Sequence, residues 1–240
     1  GWQAEQHIPI PPEELSLEYE VLYRPPKKEK TALMRVLLIG VRKSVIEKYL
    51  SMFAALGIEP SLLETQIMSI IRSAQFTTTD QATLVVHSGA SAMDIAMVNQ
   101  GQLEFVISHL SGGQSLTKVL EQQIGLDAAQ AESYKRTYGL DPAQFQGKVR
   151  DTLLPAVRIL LGEIQKAVRF YLSQHPTDQV KRVLLSGGTA QLPGLVSLIS
   201  QELGLEVLVA SPFATSSGQI PTVNHPALTV CMGLLMREEF

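Results

Sequence analysis

The sequence predicts an α/β protein, because strand patterns and helix patterns alternate along most of its 240 residues. Three stretches support this class: a β-β-α-β pattern over residues 15–64, three short strands over residues 82–109, and a strand with a glycine pair and a helix over residues 183–203. Strands that alternate with helices favour a sheet covered by helices.

The charge balance and the cysteine content argue against several classes of protein. Hydrophobic residues make up 45% and charged residues 18% of the chain, which is an ordinary globular composition. The net charge of −3 argues against a nucleic-acid-binding protein, which would usually show a basic face. Cys231 is the sole cysteine, which excludes a disulfide within the chain and fits a reducing compartment. We expect no direct membrane insertion, since no apolar run reaches the ~18–20 residues that a span needs.

The first part of the chain shows the β-β-α-β pattern. Apolar and polar residues alternate over Leu15–Tyr23, which predicts a half-buried strand, and Leu33–Val41 predicts a second strand. Apolar residues recur at helical spacing over Lys43–Leu56. A third strand is predicted over Ile58–Glu64.

The next part contains a short helix and a β-meander. Gln66–Gln75 is interpreted as a short helix or a crossover, and the polar segment after it indicates a domain boundary. Three strands follow within Ala82–His109. Gly89-Ala90-Ser91, in the first turn of this meander, either lets a phosphate approach a buried strand end or is a plain turn; both interpretations stay open.

Three helices are predicted after the meander. The first covers Ser115–Gly125, the second covers Ala128–Tyr138 with Asp127 as its N-cap, and the third is a long amphipathic helix over Thr152–Ser173. Pro155 is expected in the first turn of the third helix. Glu132 and Lys135 lie three residues apart in the second helix and by themselves indicate a solvent-exposed ion pair.

The segment Val183–Leu195 carries the strongest local motif. Its apolar start predicts a buried strand, Gly187 and Gly188 end that strand, and Thr189 is a candidate N-cap for a helix that runs to about Leu203. This arrangement points backbone N–H groups at an anion or a nucleotide, or it is simply a tight βα turn. A short strand over residues 205–210 and a closing helix over residues 225–238 complete the chain.

These motifs resemble, in their order, those of the actin-like ATPase superfamily, which includes actin, sugar kinases, heat-shock chaperones and FtsA. Val86–Ala92 takes the place of the second phosphate motif, and Leu185–Ala190 matches the adenosine motif. The resemblance implies an actin-like, ribonuclease H-like α/β fold with an incomplete first domain and a complete second domain. It divides the chain into the rest of the first domain over residues 1–75, the second domain over residues 76–222, and a C-terminal helix over residues 223–240 that packs back toward the first.

Within the superfamily the sequence most resembles the PilM family of type IV pilus assembly proteins. The features that carry this resemblance are Trp2–Gln6 with Ile8-Pro9, Gly112-Gly113 with Leu116-Thr117, Ala131-Glu132 with Lys135, Ser211–Phe213 and the closing Gly233–Arg237. The resemblance implies that ATP is the cofactor, contacted by Ser88, Gly89, Ala90, Gly112, Gly113, Glu132, Lys135, Gly187, Gly188 and Ala190.

Two departures from the family pattern bear on catalysis. The strand-turn-strand that holds the β- and γ-phosphates in relatives has no counterpart after Trp2, so we expect that part of the first domain to precede this chain. His87 stands where relatives carry a metal-facing Asp, and Mg²⁺ prefers carboxylate oxygen over imidazole. We therefore expect no turnover and assign no catalytic or metal-binding residue. His87 is otherwise interpreted as a hydrogen-bonded histidine at a strand end.

The resemblance implies a cytoplasmic, nucleotide-responsive adaptor at the inner-membrane platform of a type IV pilus or a related secretion system. Its implied main partner is the N-terminal cytoplasmic peptide of a PilN-type bitopic membrane protein, and a pilus motor ATPase is a further partner. One alternative is an active ATPase or kinase of the same fold. The other is an FtsA-like cell-division protein, which would usually carry a membrane-targeting amphipathic helix.

Overall fold

A computed structural model describes residues 8–26, 33–76, 79–214 and 225–237. Trp2–Gln6 and most of the loop between Pro212 and Pro221 lie outside these residues. The chain divides into two compact units, Gly1–Glu64 and Thr65–Phe240. None of the described helices is long and apolar enough to cross a membrane.

The smaller unit is a two-stranded antiparallel sheet followed by a helix. Strand β1 covers Leu15–Tyr23, β2 covers Arg35–Arg42, and α1 covers Lys43–Ala55. Both strands and the helix form where the sequence predicts them. Neither strand nor α1 contains a fully buried residue.

The third strand predicted over residues 58–64 is wrong. The sheet of the smaller unit has two strands among the described residues, and residues 58–64 form no regular element. Pro60 has no N–H to donate to a neighbouring strand. Leu62 and Leu63 are both exposed, so the segment lacks the buried face that would fix a strand register.

The larger unit is built on a five-stranded sheet with the order β5-β4-β3-β6-β7. The predicted meander forms β3 over Thr83–Ser88, β4 over Met93–Asn99 and β5 over Gln102–His109, which pair antiparallel. Strand β6 covers Arg182–Ser186 and pairs in parallel with β3. Strand β7 covers Glu206–Val209 and pairs in parallel with β6. Strand β3 is central and every one of its residues is buried, as its apolar sequence predicts.

Helices complete the core of the larger unit. They are α2 over Gln66–Ala74, α3 over Gly113–Ile124, α4 over Ala128–Tyr138, α5 over Lys148–Gln174, α6 over Leu195–Leu203 and α7 over Thr229–Leu235. Leu120 of α3 and Leu153 of α5 are fully buried in one cluster with Leu84, Ile95 and Val183 of the sheet. The sheet residues alternate along each strand, so the same face of the sheet packs under the helices.

Helix α5 begins before the predicted Thr152, so the placement of Pro155 in its first turn is wrong. Gly147, at φ 75°, precedes the helix, and Pro155 lies inside it. Val149 is fully buried in the core cluster, which holds the first turn in helical form. The burial of Val149 therefore outweighs the backbone hydrogen bond that Pro155 cannot donate.

The single helix predicted from Thr189 to about Leu203 is also wrong. A 3₁₀ turn covers Gly188–Gln191, and α6 starts only after Gly194, which has φ 80°. Pro193 separates the two because it lacks an N–H and favours an extended residue before it. Thr189 therefore lies within the 3₁₀ turn rather than at the N-cap of an α-helix.

Helices α2 and α7 cross at very close range. A Cβ on Gly233 of α7 would lie 1.8 Å from the carbonyl oxygen of Ser69 in α2. Nη1 of Arg72 donates to the Gly233 carbonyl at 2.7 Å.

The predicted closing helix over residues 225–238 opens with a 3₁₀ turn, Pro226–Leu228, before α7. The predicted division into residues 1–75, 76–222 and 223–240 stays a prediction, while the compact units themselves divide between Glu64 and Thr65.

Candidate functional site

An open cleft of about 920 Å³ lies in the larger unit, at the carboxyl ends of the parallel strands β3 and β6. The turns that follow these strands, helices α3 and α4, and the starts of α2 and α7 form its walls. Ligands of open α/β sheets usually bind at this end of parallel strands. The position of the cleft follows from the sheet topology.

Most of the residues predicted to bind a cofactor lie together in this cleft. The seven that line it are Gly89, Ala90, Gly113, Glu132, Lys135, Gly187 and Gly188. Three do not line it: Ser88, Gly112 and Ala190. Binding by any of these residues stays a prediction, but the structure brings segments that are distant in sequence to one concave surface.

The three remaining residues support the walls from behind. Ser88 and Ala190 line a separate apolar cavity of about 30 Å³. Ser88 is buried, and its hydroxyl has no hydrogen-bond partner among the described residues. Gly112 packs on the turn after β3, where an added Cβ would lie 2.6 Å from the Gly89 carbonyl oxygen. The side chains of Ser88 and Ala190 therefore face this second cavity rather than the cleft, and Gly112 has no side chain.

The two glycines after β6 have different structural roles. Gly187 has φ 86°, and a Cβ there would lie 2.3 Å from the Ser88 carbonyl oxygen. A residue with a side chain would meet both backbone strain and a collision at this position. Gly188 has nothing within 4 Å of an added Cβ. Gly187 is thus required by the fold, whereas Gly188 leaves the cleft wall open.

The N-terminus of α3 is bonded to the turn after β3. The Gly113 N–H donates to the Gly89 carbonyl and the Gln114 N–H donates to the Ala90 carbonyl, both at 2.8 Å. An added Cβ on Gly113 would lie 2.9 Å from Oγ1 of Thr189. Because these two amides are already paired, they are not free to bind an anion, as N–H groups at a helix start often do.

Lys135 joins α4 to the start of α3. Its Nζ donates to the Gly113 carbonyl at 3.0 Å, to Oγ1 of Thr117 at 2.9 Å and to Oε2 of Glu132 at 2.6 Å. A lysine ammonium has three hydrogens to donate, and all of them are used here. Lys135 is also buried, with 8% of its surface exposed. It is therefore a positioning residue for Glu132 and Thr117.

Glu132 presents a fixed carboxylate to the cleft. Burial alone would raise the pKa of Glu132, but hydrogen bonds from Lys135 and Thr117 and the charges of Lys135 and Arg136 lower that pKa overall. Oε2 accepts both hydrogen bonds, at 2.6 Å each, while Oε1 has no partner among the described residues. The carboxylate is ionised at neutral pH, and Oε1 is an acceptor for a hydroxyl group.

His87 lies at the end of β3, on the opposite face of the strand from Ser88. Its Nδ1 is 3.1 Å from Oγ of Ser186 on the neighbouring strand β6. Burial lowers the pKa of His87, and the charge of Asp94 opposes this shift only in part. The ring is therefore neutral at pH values near 7. The described residues contain no group of three or more His, Cys, Asp or Glu that could hold a metal ion.

The second wall of the cleft is not predicted from the sequence. It comes from Gln66 of α2 and from Ala227 and Val230 around the start of α7. His225 also lines it, with Nδ1 accepting from the Ala227 N–H at 3.2 Å. The sequence contained one indication that Thr117 lines the cleft. Thr117 follows Gly113 by four residues and therefore lies on the same face of the helix as Gly113. The α2 and α7 residues have no such local signal.

Comparisons with known proteins agree with this architecture. The model of a family described as type IV pilus assembly protein PilM matches residues 1–239. A chain of a solved PilM-PilN type IV pilus biogenesis complex is similar in structure, with a TM-score of 0.85 and 23% identity over 99% of this chain and 71% of that chain.

Two more distant structures share the fold. The ethanolamine utilization protein EutJ of Carboxydothermus hydrogenoformans has a TM-score of 0.57 and 22% identity over 77% of this chain and 57% of its own. MreB5 of Spiroplasma citri, solved with AMPPNP, has a TM-score of 0.59 and 15% identity over 82% of this chain and 64% of its own. The chain thus spans less than two-thirds of either protein. The predicted actin-like α/β fold is confirmed.

Proposed function

The chain belongs to the PilM family of type IV pilus assembly proteins, and from this premise we propose that it is a nucleotide-responsive adaptor of the pilus assembly platform. In this proposal ATP binds in the cleft of the larger unit, and its presence biases a conformational equilibrium that partner proteins sense. The protein acts by binding rather than by turnover of substrate.

The observation that supports nucleotide binding is the meeting of Gly188 and Glu132 in one cleft. Gly188 lies beside β6 and has open space where a side chain would be, which leaves room for a flat purine ring. Glu132 lies on α4, and its free Oε1 suits the hydroxyl groups of a ribose. Lys135 fixes that carboxylate through its three hydrogen bonds.

The proposed main partner is the N-terminal cytoplasmic peptide of a PilN-type bitopic membrane protein. The family match and the likeness to a chain of a PilM-PilN complex support this choice. A pilus motor ATPase is a further proposed partner. Such partners would place the protein in the cytoplasm, at the inner membrane but not inserted in it.

The cleft favours an adaptor over an ATPase because of its donor groups. A neutral imidazole, His87, stands at the end of β3 where a carboxylate would suit Mg²⁺. Oε2 of Glu132 is already engaged by Lys135 and Thr117, and Oε1 is the proposed acceptor for a ribose hydroxyl. The volume of the cleft and its polar lining support ATP as the ligand, whereas the described residues contain no group of three or more His, Cys, Asp or Glu that could hold a metal ion.

Calorimetric titration of ATP tests the proposal. We expect the chain to bind ATP and Gly188→Val to abolish binding, because a branched side chain would occupy the cleft wall. The control is Gly162→Ala in α5. An added Cβ at Gly162 also has open space, but Gly162 does not line the cleft. Equal binding by all three proteins would contradict a site at Gly188.

A second measurement addresses the adaptor role. A PilN-type tail peptide immobilised on beads should capture the chain, and ATP should change the amount captured. Gly188→Val should be captured to the same extent with and without ATP. Release of phosphate from ATP by the chain alone would favour the ATPase alternative, and capture that ignores ATP in the unmodified chain would contradict nucleotide responsiveness.

A further inference from the structure

His87 is a buried polar side chain with one unused nitrogen at the cleft. Only 6% of the residue is exposed, yet it lines the cleft. Its Nδ1 meets Ser186, and its Nε2 makes no hydrogen bond to any described residue. Nε2 lies near the Gly89-Ala90-Ser91 turn, since a Cβ added to Gly89 would be 3.8 Å from Nε2. This ring nitrogen without a protein partner opens onto the cleft, where a ligand or a water molecule can meet it.

The hydrogen-bond network decides which ring nitrogen carries the proton. The Pro226 carbonyl accepts from Oγ1 of Thr229 at 2.6 Å and from the Gly187 N–H at 3.2 Å. The Thr229 N–H also donates to this carbonyl, so three donors already share it. The Ser186 hydroxyl lies farther from that carbonyl, at 3.4 Å, than from Nδ1 of His87, at 3.1 Å. The shorter contact favours donation from Ser186 to Nδ1, which would leave the proton of the neutral ring on Nε2.

Two neighbouring acidic groups, Asp94 and Glu132, already accept hydrogen bonds. Asp94 lies opposite His87 on β4, but its Oδ1 accepts from Oγ of Ser108 at 2.5 Å. Glu132 is bonded to Lys135 and Thr117. The end of β3 thus offers an N–H donor from a neutral ring. That group suits a phosphate oxygen and does not suit Mg²⁺, which requires oxygen ligands.

We propose that the cleft binds ATP without requiring a magnesium ion and that the Nε2–H of His87 donates to a phosphate oxygen. This inference rests on the proposed nucleotide binding. It makes His87 a specificity-determining residue, because the same position with a carboxylate would repel the free anion and accept it only as its magnesium complex.

The dissociation constant of ATP, measured calorimetrically on the full chain in excess EDTA and in excess Mg²⁺, tests this. We expect the two values to agree within about twofold. His87→Asp should weaken binding about tenfold or more in EDTA and recover with Mg²⁺, since one anion then faces another. His87→Asn, similar in size to Asp but uncharged, should show no magnesium dependence, and Gly162→Ala should behave as the unmodified chain does.

The outcomes separate this inference from the proposed function. Binding that needs Mg²⁺ in the unmodified chain would overturn the inference and leave nucleotide binding intact. Absence of binding in both conditions would overturn both. If the substitutions at His87 prevent folding, ¹⁵N spectra of histidine-labelled unmodified protein give the test. We expect a proton on Nε2 whose resonance shifts when ATP is added in EDTA, and a proton on Nδ1 or an unshifted resonance would overturn the inference.

Discussion

Nζ of Lys135 lies 2.6 Å from Oε2 of Glu132, one turn away in the same helix. The spacing is that of a common surface ion pair, yet Lys135 is buried and also bonds to Gly113 and Thr117 of another helix. The pair is therefore a tertiary connection between α3 and α4. It fixes the geometry of the cleft that the two helices line.

Lys135→Met should destabilise the protein. The substitution leaves the Gly113 carbonyl and the Glu132 carboxylate with fewer donors, and unpaired buried polar groups cost about 1–3 kcal/mol. Urea unfolding measures the change. ATP affinity should also fall, because Glu132 loses the group that orients it.

Lys166→Met is the matched control for that prediction. Lys166 bonds to Glu163 at 2.7 Å with the same spacing, but 64% of its side chain is exposed. Exposed pairs contribute about 0.2–1 kcal/mol, so the effect should be small. Equal losses of unfolding free energy in Lys135→Met and Lys166→Met would refute the role of Lys135 in joining α3 to α4.

The structure shows which parts of this fold are determined by residues that are close together in the sequence. Helix α4 forms with the predicted bounds, because Asp127 and Gln130 make a reciprocal capping box at its start. The role of Lys135 is not visible in this way, since its partners Gly113 and Thr117 are distant in sequence. Such contacts appear only after the helices have packed.

For several other expectations the sequence already contained a signal that pointed the other way. Ser88 follows His87 in a strand, and because neighbours in a strand face opposite sides, both cannot point into one cleft. Pro193 interrupts the segment predicted as one helix. The segment over residues 58–64 is predicted as a strand, but no other described strand pairs with it. Pairing depends on neighbours, which a single segment does not specify.

The pKa of Glu132 predicts a pH dependence of stability. Its pKa in the folded state is lowered, so Glu132 contributes stability above the unfolded value, and this contribution is lost as the pH falls through the folded value. In Glu132→Gln the free energy of unfolding should therefore differ less between about pH 7 and about pH 3 than it does in the unmodified chain. Unfolding by urea across that range measures it. An unchanged pH profile would show that Glu132 gains nothing from Lys135 and Thr117.

Alanine substitutions at the two adjacent glycines should have opposite outcomes. Gly187→Ala forces a side chain into a left-handed conformation and against the Ser88 backbone, so we expect a loss of about 2–4 kcal/mol. Gly188→Ala meets open space and should change stability by about 0.5 kcal/mol or less. Thermal and urea unfolding compare the two variants. A stable Gly187→Ala protein would contradict the contact with Ser88.

Ser88→Ala should leave stability unchanged or raise it. The hydroxyl is buried without a described partner beside an apolar cavity, so its removal relieves a desolvation cost of about 1–3 kcal/mol at most. Ser186→Ala is the contrasting variant, because its hydroxyl bonds to His87. We expect Ser186→Ala to destabilise the protein in the same unfolding assay. A marked loss in Ser88→Ala would instead indicate an ordered water bound to this hydroxyl.

His87 gives a second pH effect in a different range. Its folded pKa is lowered chiefly by burial, so the unfolded chain takes up the proton first as the pH falls below about 6.5. Stability is then complete above that pH and declines below it, toward the folded pKa. His87→Asn should remove this part of the decline between about pH 7 and about pH 5, while His109→Asn, at a partly exposed contact with Glu163, serves as control. If His87→Asn keeps the full decline, burial of a neutral His87 is refuted.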